Sequence, residues 1–268
     1  MTPWKINRIR AIGMAHIVCI IGNKGGTGKT SLTHMLCHGL GLLSQHAVAI
    51  MTDLDREPLA KANRRYLPFD ARSEDNLVKV VAKLRAVDSW IGVIDGGANR
   101  PEMDLRLHDL GGLTLLPFRE SHEDIRTVLR DLDRFPDAYA LPSQWPTNPW
   151  QLDAARRSVD QLLGAYRSRL LEPVCAISAS KLLLQRELPD QLPSNLNSAC
   201  RRLADQVLEL LGEAAAPSML KFFELDAHCG MRTDSIELAQ TPGGMHPPKK
   251  ISQGLRARAF WHLETGFG

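Results

Sequence analysis

The feature that most constrains this chain is a run of small and polar residues, Gly22-Asn23-Lys24-Gly25-Gly26-Thr27-Gly28-Lys29-Thr30-Ser31. It lies between an apolar segment of strand length, residues 16–21, and a longer stretch with helical spacing, residues 29–43. Glycines at 25, 26 and 28 let the backbone curl until successive N–H groups point inward, and the helix that follows adds the positive end of its dipole. That combination cradles phosphate, and it works only where a strand delivers the chain and a helix carries it away. Lys29 is then placed to reach the β- and γ-phosphates of a nucleotide, and the Thr30 hydroxyl to meet Mg²⁺.

The rest of the chain fits around such a unit. Apolar runs at residues 16–21, 47–52, 90–94, 113–117, 174–178 and roughly 220–225 read as strands. Stretches with helical spacing separate them, near residues 29–43, 73–86, 121–134 and 151–171. The alternation predicts an α/β fold, a doubly wound and mostly parallel sheet with helices on both faces. Ser121 with Asp124 three residues on resembles a capping box and marks a helix start. Residues 135–150 hold four prolines and two tryptophans and read as an irregular surface insertion, with the tryptophans packed on the body or offered to a partner.

Length and composition narrow the function classes. With 268 residues, 44% of them hydrophobic and 24% charged, the chain is expected to form one globular domain over 1–268 that includes an N-terminal extension at 1–14. The longest apolar run, residues 11–21, contains His16 and falls short of the ~18 residues that span a membrane. The basic start runs into the glycine-rich motif without a cleavage site, so a cytoplasmic protein is expected. Five cysteines without a C-x-x-C pair suggest reduced thiols. His34 and His38 share a helix face with Cys37 near it, but no further ligands stand beside them, and packing against the sheet is the simpler reading.

The phosphate loop departs from the standard pattern at Asn23-Lys24. Read from Lys24 to Thr30, K-G-G-T-G-K-T resembles the deviant Walker A motif of the ParA/MinD family of P-loop ATPases, with ParA-type partition and positioning ATPases the nearest match. The resemblance implies that Lys24 crosses a nucleotide-sandwich homodimer to the partner's phosphates, supplying a cation in trans much as an arginine finger does. Thr52-Asp53-Leu54-Asp55 looks like the family's D-x-D motif, which assigns water positioning to Asp55 and places Asp53 near the metal. Val93-Ile94-Asp95-Gly96-Gly97 looks like Walker B, with Asp95 holding Mg²⁺. Carboxylates at the ends of parallel strands converge on the crevice where such sheets bind ligands. By the same resemblance ATP contacts Lys24, Gly25, Gly26, Thr27, Gly28, Lys29, Thr30 and Ser31, and the loop at Pro242 lies against the adenine. Catalysis falls to Lys24, Lys29 and Asp55, and the metal to Thr30, Asp53 and Asp95. Arg56-Glu57 replace the family's usual P-Q, and Ala98-Asn99 follow Walker B where threonine and prolines are usual. No N-K-x-D string for guanine is present, which favours ATP.

The formal charge is only +3, but its distribution is uneven. Lys249, Lys250, Arg256 and Arg258 crowd residues 244–268, read as a basic C-terminal helix, and residues 238–263 contain no acid. Such residues contact DNA phosphates without reading sequence. The resemblance thus implies a weak ATPase that dimerises on ATP, binds DNA non-specifically and positions a plasmid, chromosome, conjugation complex or protein organelle, hydrolysis being stimulated by a cargo-linked protein. Phe260 and Trp261 beside those arginines leave a MinD-like membrane anchor as the competing reading. An ATP-dependent small-molecule ligase on the same fold is a third.

Overall fold

In the computed structural model, residues 16–53, 59–87 and 89–212 are described. The chain divides into the units Met1–Leu220 and Lys221–Gly268, and every described residue belongs to the first.

The elements run β1 His16–Ile20, α1 Lys29–Leu42, β2 His46–Met51, β3 Leu67–Asp70, α2 Glu74–Arg85, β4 Trp90–Asp95 and α3 Pro101–Leu110. They continue with β5 Leu113–Phe118, α4 His122–Arg134, β6 Tyr139–Pro142, α5 Pro149–Leu163, 3₁₀ segments at Gly164–Arg169 and Ser178–Leu184, and α6 Ser194–Leu211. The sheet has six strands in the order β3-β2-β4-β1-β5-β6, and every pairing is parallel. The central strands are covered on both faces, which is why they read as unbroken apolar runs rather than alternating ones.

One face carries Val18, Ile20, Ala47, Ala49, Val93 and Leu115 under α1 and α6. On the other, Leu84 of α2 packs against Gly92, and α3 and α4 lie on β1 and β5. The sheet is therefore doubly wound, as expected. The tightest contact is between α1 and α6. A Cβ at Gly39 would stand 2.0 Å from the Cys200 carbonyl oxygen and 3.0 Å from the Ala204 Cβ. In an exposed helix Gly→Ala is stabilising by up to about 1 kcal/mol. Here Gly39→Ala is expected to reverse that sign and cost about 2–3 kcal/mol by forcing the helices apart. Urea unfolding of the variant checks it, and an unchanged midpoint would contradict the close packing.

Local signals set the boundaries. Ser121 caps α4 by accepting from Asp124 N–H at 3.1 Å, and its hydroxyl donates to Asp124 Oδ1 at 2.8 Å. Ser73 caps α2 and Asn148 caps α5, which has Pro149 in its first turn.

The structure differs from the sequence reading in four places. Residues 135–150 are not an irregular surface insertion. Tyr139–Pro142 form β6, Trp145 is buried, and Trp150 alone of the two tryptophans is exposed, at 85%. Pro142 is tolerated because it ends the strand. Residues 174–178 form no full strand; residues 170–176 run along β6 through isolated bridges and the Val174 N–H to Pro142 bond. The short β3 and the helices α3 and α6 add to the expected elements. The helix expected over 151–171 stops at Leu163 and tightens into 3₁₀ turns. The strand expected near 220–225 lies outside the described residues.

Among the described residues no helix is long and apolar enough to cross a membrane. His34 pairs with the Tyr66 hydroxyl at 2.9 Å and His38 with Asn197 Oδ1 at 2.9 Å. With Cys37 they are buried in the α1 packing, and no metal-binding group of three ligands occurs among the described residues.

Candidate active site

The loop leaves β1 after Ile20 and enters α1 at Lys29. Gly28 is the N-cap of α1 in the left-handed region, φ 86°, with no side chain to cap the first turn. The N–H groups of that turn are thus left to a ligand, which suits an anion at the positive end of the helix. A side chain at Gly28 would also meet the Gln144 amide at 3.0 Å.

Lys29 is only 6% exposed, and its Nζ donates to the carbonyls of Gly22 at 2.8 Å and Lys24 at 2.7 Å. The lysine thereby spans the loop from inside. Burial lowers its pKa, while Asp104, Asp95 and Asp131 act in the opposite direction.

Two buried carboxylates support the loop from below. Asp104 of α3 and Asp131 of α4 are close enough to the loop for the Gly22 amide to favour the charged form of the first and the Asn23 amide that of the second. Burial raises both pKa values, that of Asp104 to about 6 against the charge of Lys29. A carboxyl whose folded pKa is raised binds more protons in the native state than in the unfolded one. Its stabilising contribution is full below pH ~3.8, is lost as pH rises to about 6, and is absent above that. Asp104→Asn is therefore expected to stabilise the fold by about 1–2 kcal/mol at pH 7.5 and by little at pH 4. Denaturant titrations at the two pH values check this, and an equal effect at both would contradict it.

The strand ends beside the loop complete the site. Asp95 is fully buried at the end of β4, in register with Ile20 of β1 and Met51 of β2. The Thr52 hydroxyl donates to the Asp95 carbonyl at 2.6 Å, which places Asp53 just past the end of the neighbouring strand. Behind them Gly96 N–H donates to the Ile20 carbonyl, Asn99 N–H to that of Asn23, and Arg100 to that of Thr52. Phosphate loop and β4 end are thus joined by backbone bonds, and the β2 end is tied to them through the Thr52 hydroxyl and the Arg100 side chain. Thr30, Asp53 and Asp95 supply hard oxygen donors of the kind Mg²⁺ takes, and this ion is usually bound by one or two carboxylates with substrate phosphates filling the rest.

Lys24 takes a different direction from Lys29. Its Nζ pairs with Asp124 and with Glu123 at 3.1 Å, both on the first turn of α4. The Asp124 bond leads in raising the Lys24 pKa. Burial alone would raise that of Asp124, but the bonds from Lys24 and Ser121 outweigh it and the net shift is downward. Asp55, Pro242, Lys249, Lys250, Arg256 and Arg258 lie outside the described residues.

No sequence motif singled out Asp104, Asp131, Asp124, Ser143 or Gln144 as partners of the loop. Ser143 is fully buried and its hydroxyl lies 2.5 Å from the Thr27 carbonyl and 3.1 Å from that of Phe118, tying the end of β6 to the loop. The only signal was the prolines around it, which read as irregular chain.

No protein-family model and no curated protein matches the chain. Solved structures do. The septum site-determining protein MinD of Pyrococcus horikoshii, complexed with Mg-ADP, superposes with a TM-score of 0.55 at 17% identity over 74% of this chain and 98% of its own. A McdA variant of Cyanothece in complex with ATP gives 0.54 at 15% identity over 75% and 97%. A putative plasmid partition protein of Borrelia burgdorferi bound to AMPPNP gives 0.51 at 12% over 74% and 99%. These proteins stand in the group that the Lys24–Thr30 motif resembles, and their P-loop α/β fold is the fold of this chain.

Proposed function

We propose that this chain is a ParA-like ATPase that closes into a homodimer on ATP and Mg²⁺, binds DNA non-specifically and positions a cargo until a cargo-linked protein stimulates hydrolysis. The observation that carries the reading is the division of labour between two lysines. Lys29 occupies the interior of the loop, whereas Lys24 stands on its rim and pairs with α4. A lysine outside its own cradle is available to a second molecule's phosphates, where a cation supplied only in the closed state makes hydrolysis depend on dimerisation.

In this mechanism the α1 N-terminus and Lys29 bind and orient the triphosphate, Thr30 and Asp95 hold the metal with Asp53 beside them, and Asp55 orients the attacking water. The metal neutralises charge on the phosphates when bound. The adenine is assigned to the loop at Pro242, and DNA phosphates to Lys249, Lys250, Arg256 and Arg258. The expected location is the cytoplasm, on the nucleoid. The solved relatives with bound Mg-ADP, ATP and AMPPNP support the nucleotide assignment. Phe260 and Trp261 beside Arg256 and Arg258 keep a membrane as the alternative matrix.

The test is binding to a non-specific duplex with no nucleotide, with ADP and with ATP, at two salt concentrations, alongside solution mass. ATP-dependent, salt-sensitive binding by a dimer is expected. A dimer that ignores DNA but binds anionic liposomes would replace this reading with the membrane one.

A further inference from the structure

A second cavity, of about 560 Å³, lies at the far half of α1, away from the phosphate loop. Its walls are α1 at His38, the chain entering β3 at Asn63, Arg64 and Arg65, the segment that leads into α6 at Asp190, and the first turn of α6 at Asn197. The volume falls within the range of small-molecule sites.

Its electrostatics are unbalanced. The Arg64 guanidinium is fixed by four neutral oxygens, those of Ala60, Tyr66, Leu183 and Gln185, at 2.5–2.9 Å. Those bonds hold its orientation, and among the described residues no carboxylate pairs with its charge. Arg65 and, one helical turn beyond Asn197, Arg201 likewise form no ion pair among the described residues. All three bear on His38, a ring only 3% exposed that burial holds neutral, with Nδ1 lacking a partner. The one acid in the wall, Asp190, accepts from the Asn63 amide at 2.9 Å and keeps its charge, so the lining holds two arginines against one carboxylate. The 18-residue α6 begins beside this wall with Pro193 at its N-cap and only the Asn195 side chain accepting from its first turn, at Leu196 N–H, so its positive end adds to the field.

We propose that this cavity is a second binding site, for a small molecule bearing an oxyanion, carboxylate or phosphate, that pairs with the exposed Arg65 against the fixed charge of Arg64. The Asn197 Nδ2, whose single bond to the Leu192 carbonyl is long at 3.4 Å, is the donor left for the rest of such a molecule. The wall at 63–65 follows Asp55 by ten residues or fewer in sequence, so an occupant restrains the chain just downstream of the proposed water-positioning residue. The binding itself does not depend on the ATPase reading.

The test uses the full chain saturated with Mg-ADP, so that the phosphate loop is filled, and follows thermal unfolding during titration with inorganic phosphate or with succinate at constant ionic strength. A saturable upward shift with either probe is expected, and the probe that gives it identifies the anion. The shift should persist in Lys29→Ala without nucleotide and weaken at least about 10-fold in Arg65→Glu, whose exposed position spares the fold. No saturation by either probe up to about 10 mM, an Arg65→Glu response equal to wild type, or loss of the shift in Lys29→Ala would each overturn the proposal.

Discussion

A Lys29→Ala chain is expected to bind ATP at least about 100-fold more weakly than wild type while keeping its secondary structure. The lysine is the one buried cation inside the loop, donating to the Gly22 and Lys24 carbonyls and set among Asp95, Asp104 and Asp131. A charge-assisted contact to phosphate in such a site is worth about twice a neutral hydrogen bond, and its loss also leaves the surrounding carboxylates repelling the ligand. Nucleotide titration by fluorescence, with circular dichroism as the folding control, checks the result. Retention of near-native affinity would mean that the α1 N-terminus alone holds the phosphates.

Lys24→Ala should separate binding from turnover. ATP affinity is expected to stay within a few-fold, while ATP-dependent dimerisation is lost and hydrolysis falls by about two orders of magnitude or more, as when a cation acting in trans is removed. The pairing of Lys24 with Asp124 and Glu123 adds a second expectation. A lysine that must leave its own α4 before reaching a partner's phosphates is held back by that contact, so Asp124→Asn, which keeps the Ser121 cap, should let ATP drive dimerisation at about 3–10-fold lower protein concentration. Sedimentation at several protein concentrations measures both effects. If Lys24→Ala dimerises and hydrolyses as wild type does, the lysine acts only within its own chain and the sandwich mechanism fails.

The contrast between these two lysines also shows where sequence reasoning reaches its limit. Spacing is enough to place Lys29, because a glycine-rich turn between strand and helix has few ways to fold. It does not say where Lys24 points, since that depends on α4, roughly one hundred residues away in the chain. Asp104 and Asp131 read as ordinary helix carboxylates, and only the packing of α3 and α4 brings their charges to bear on Lys29. The prolines of residues 135–150 obscured β6 because a four-residue edge strand has little periodicity to display. For the same reason Ser143 and Gln144 gave no sign of touching the loop.

By itself the sequence determined the phosphate loop, the α/β class, the parallel order implied by alternating strands and helices, and the placing of Asp95 at a strand end. Those follow from local physics, from glycine conformations, apolar period and caps. Only the tertiary structure decided which distant carboxylates face the two lysines, that β6 closes the sheet and pins the loop, and that arginines with no ion pair among the described residues gather behind α1. Long-range neighbours are set by packing, and packing leaves no short-range pattern in the chain.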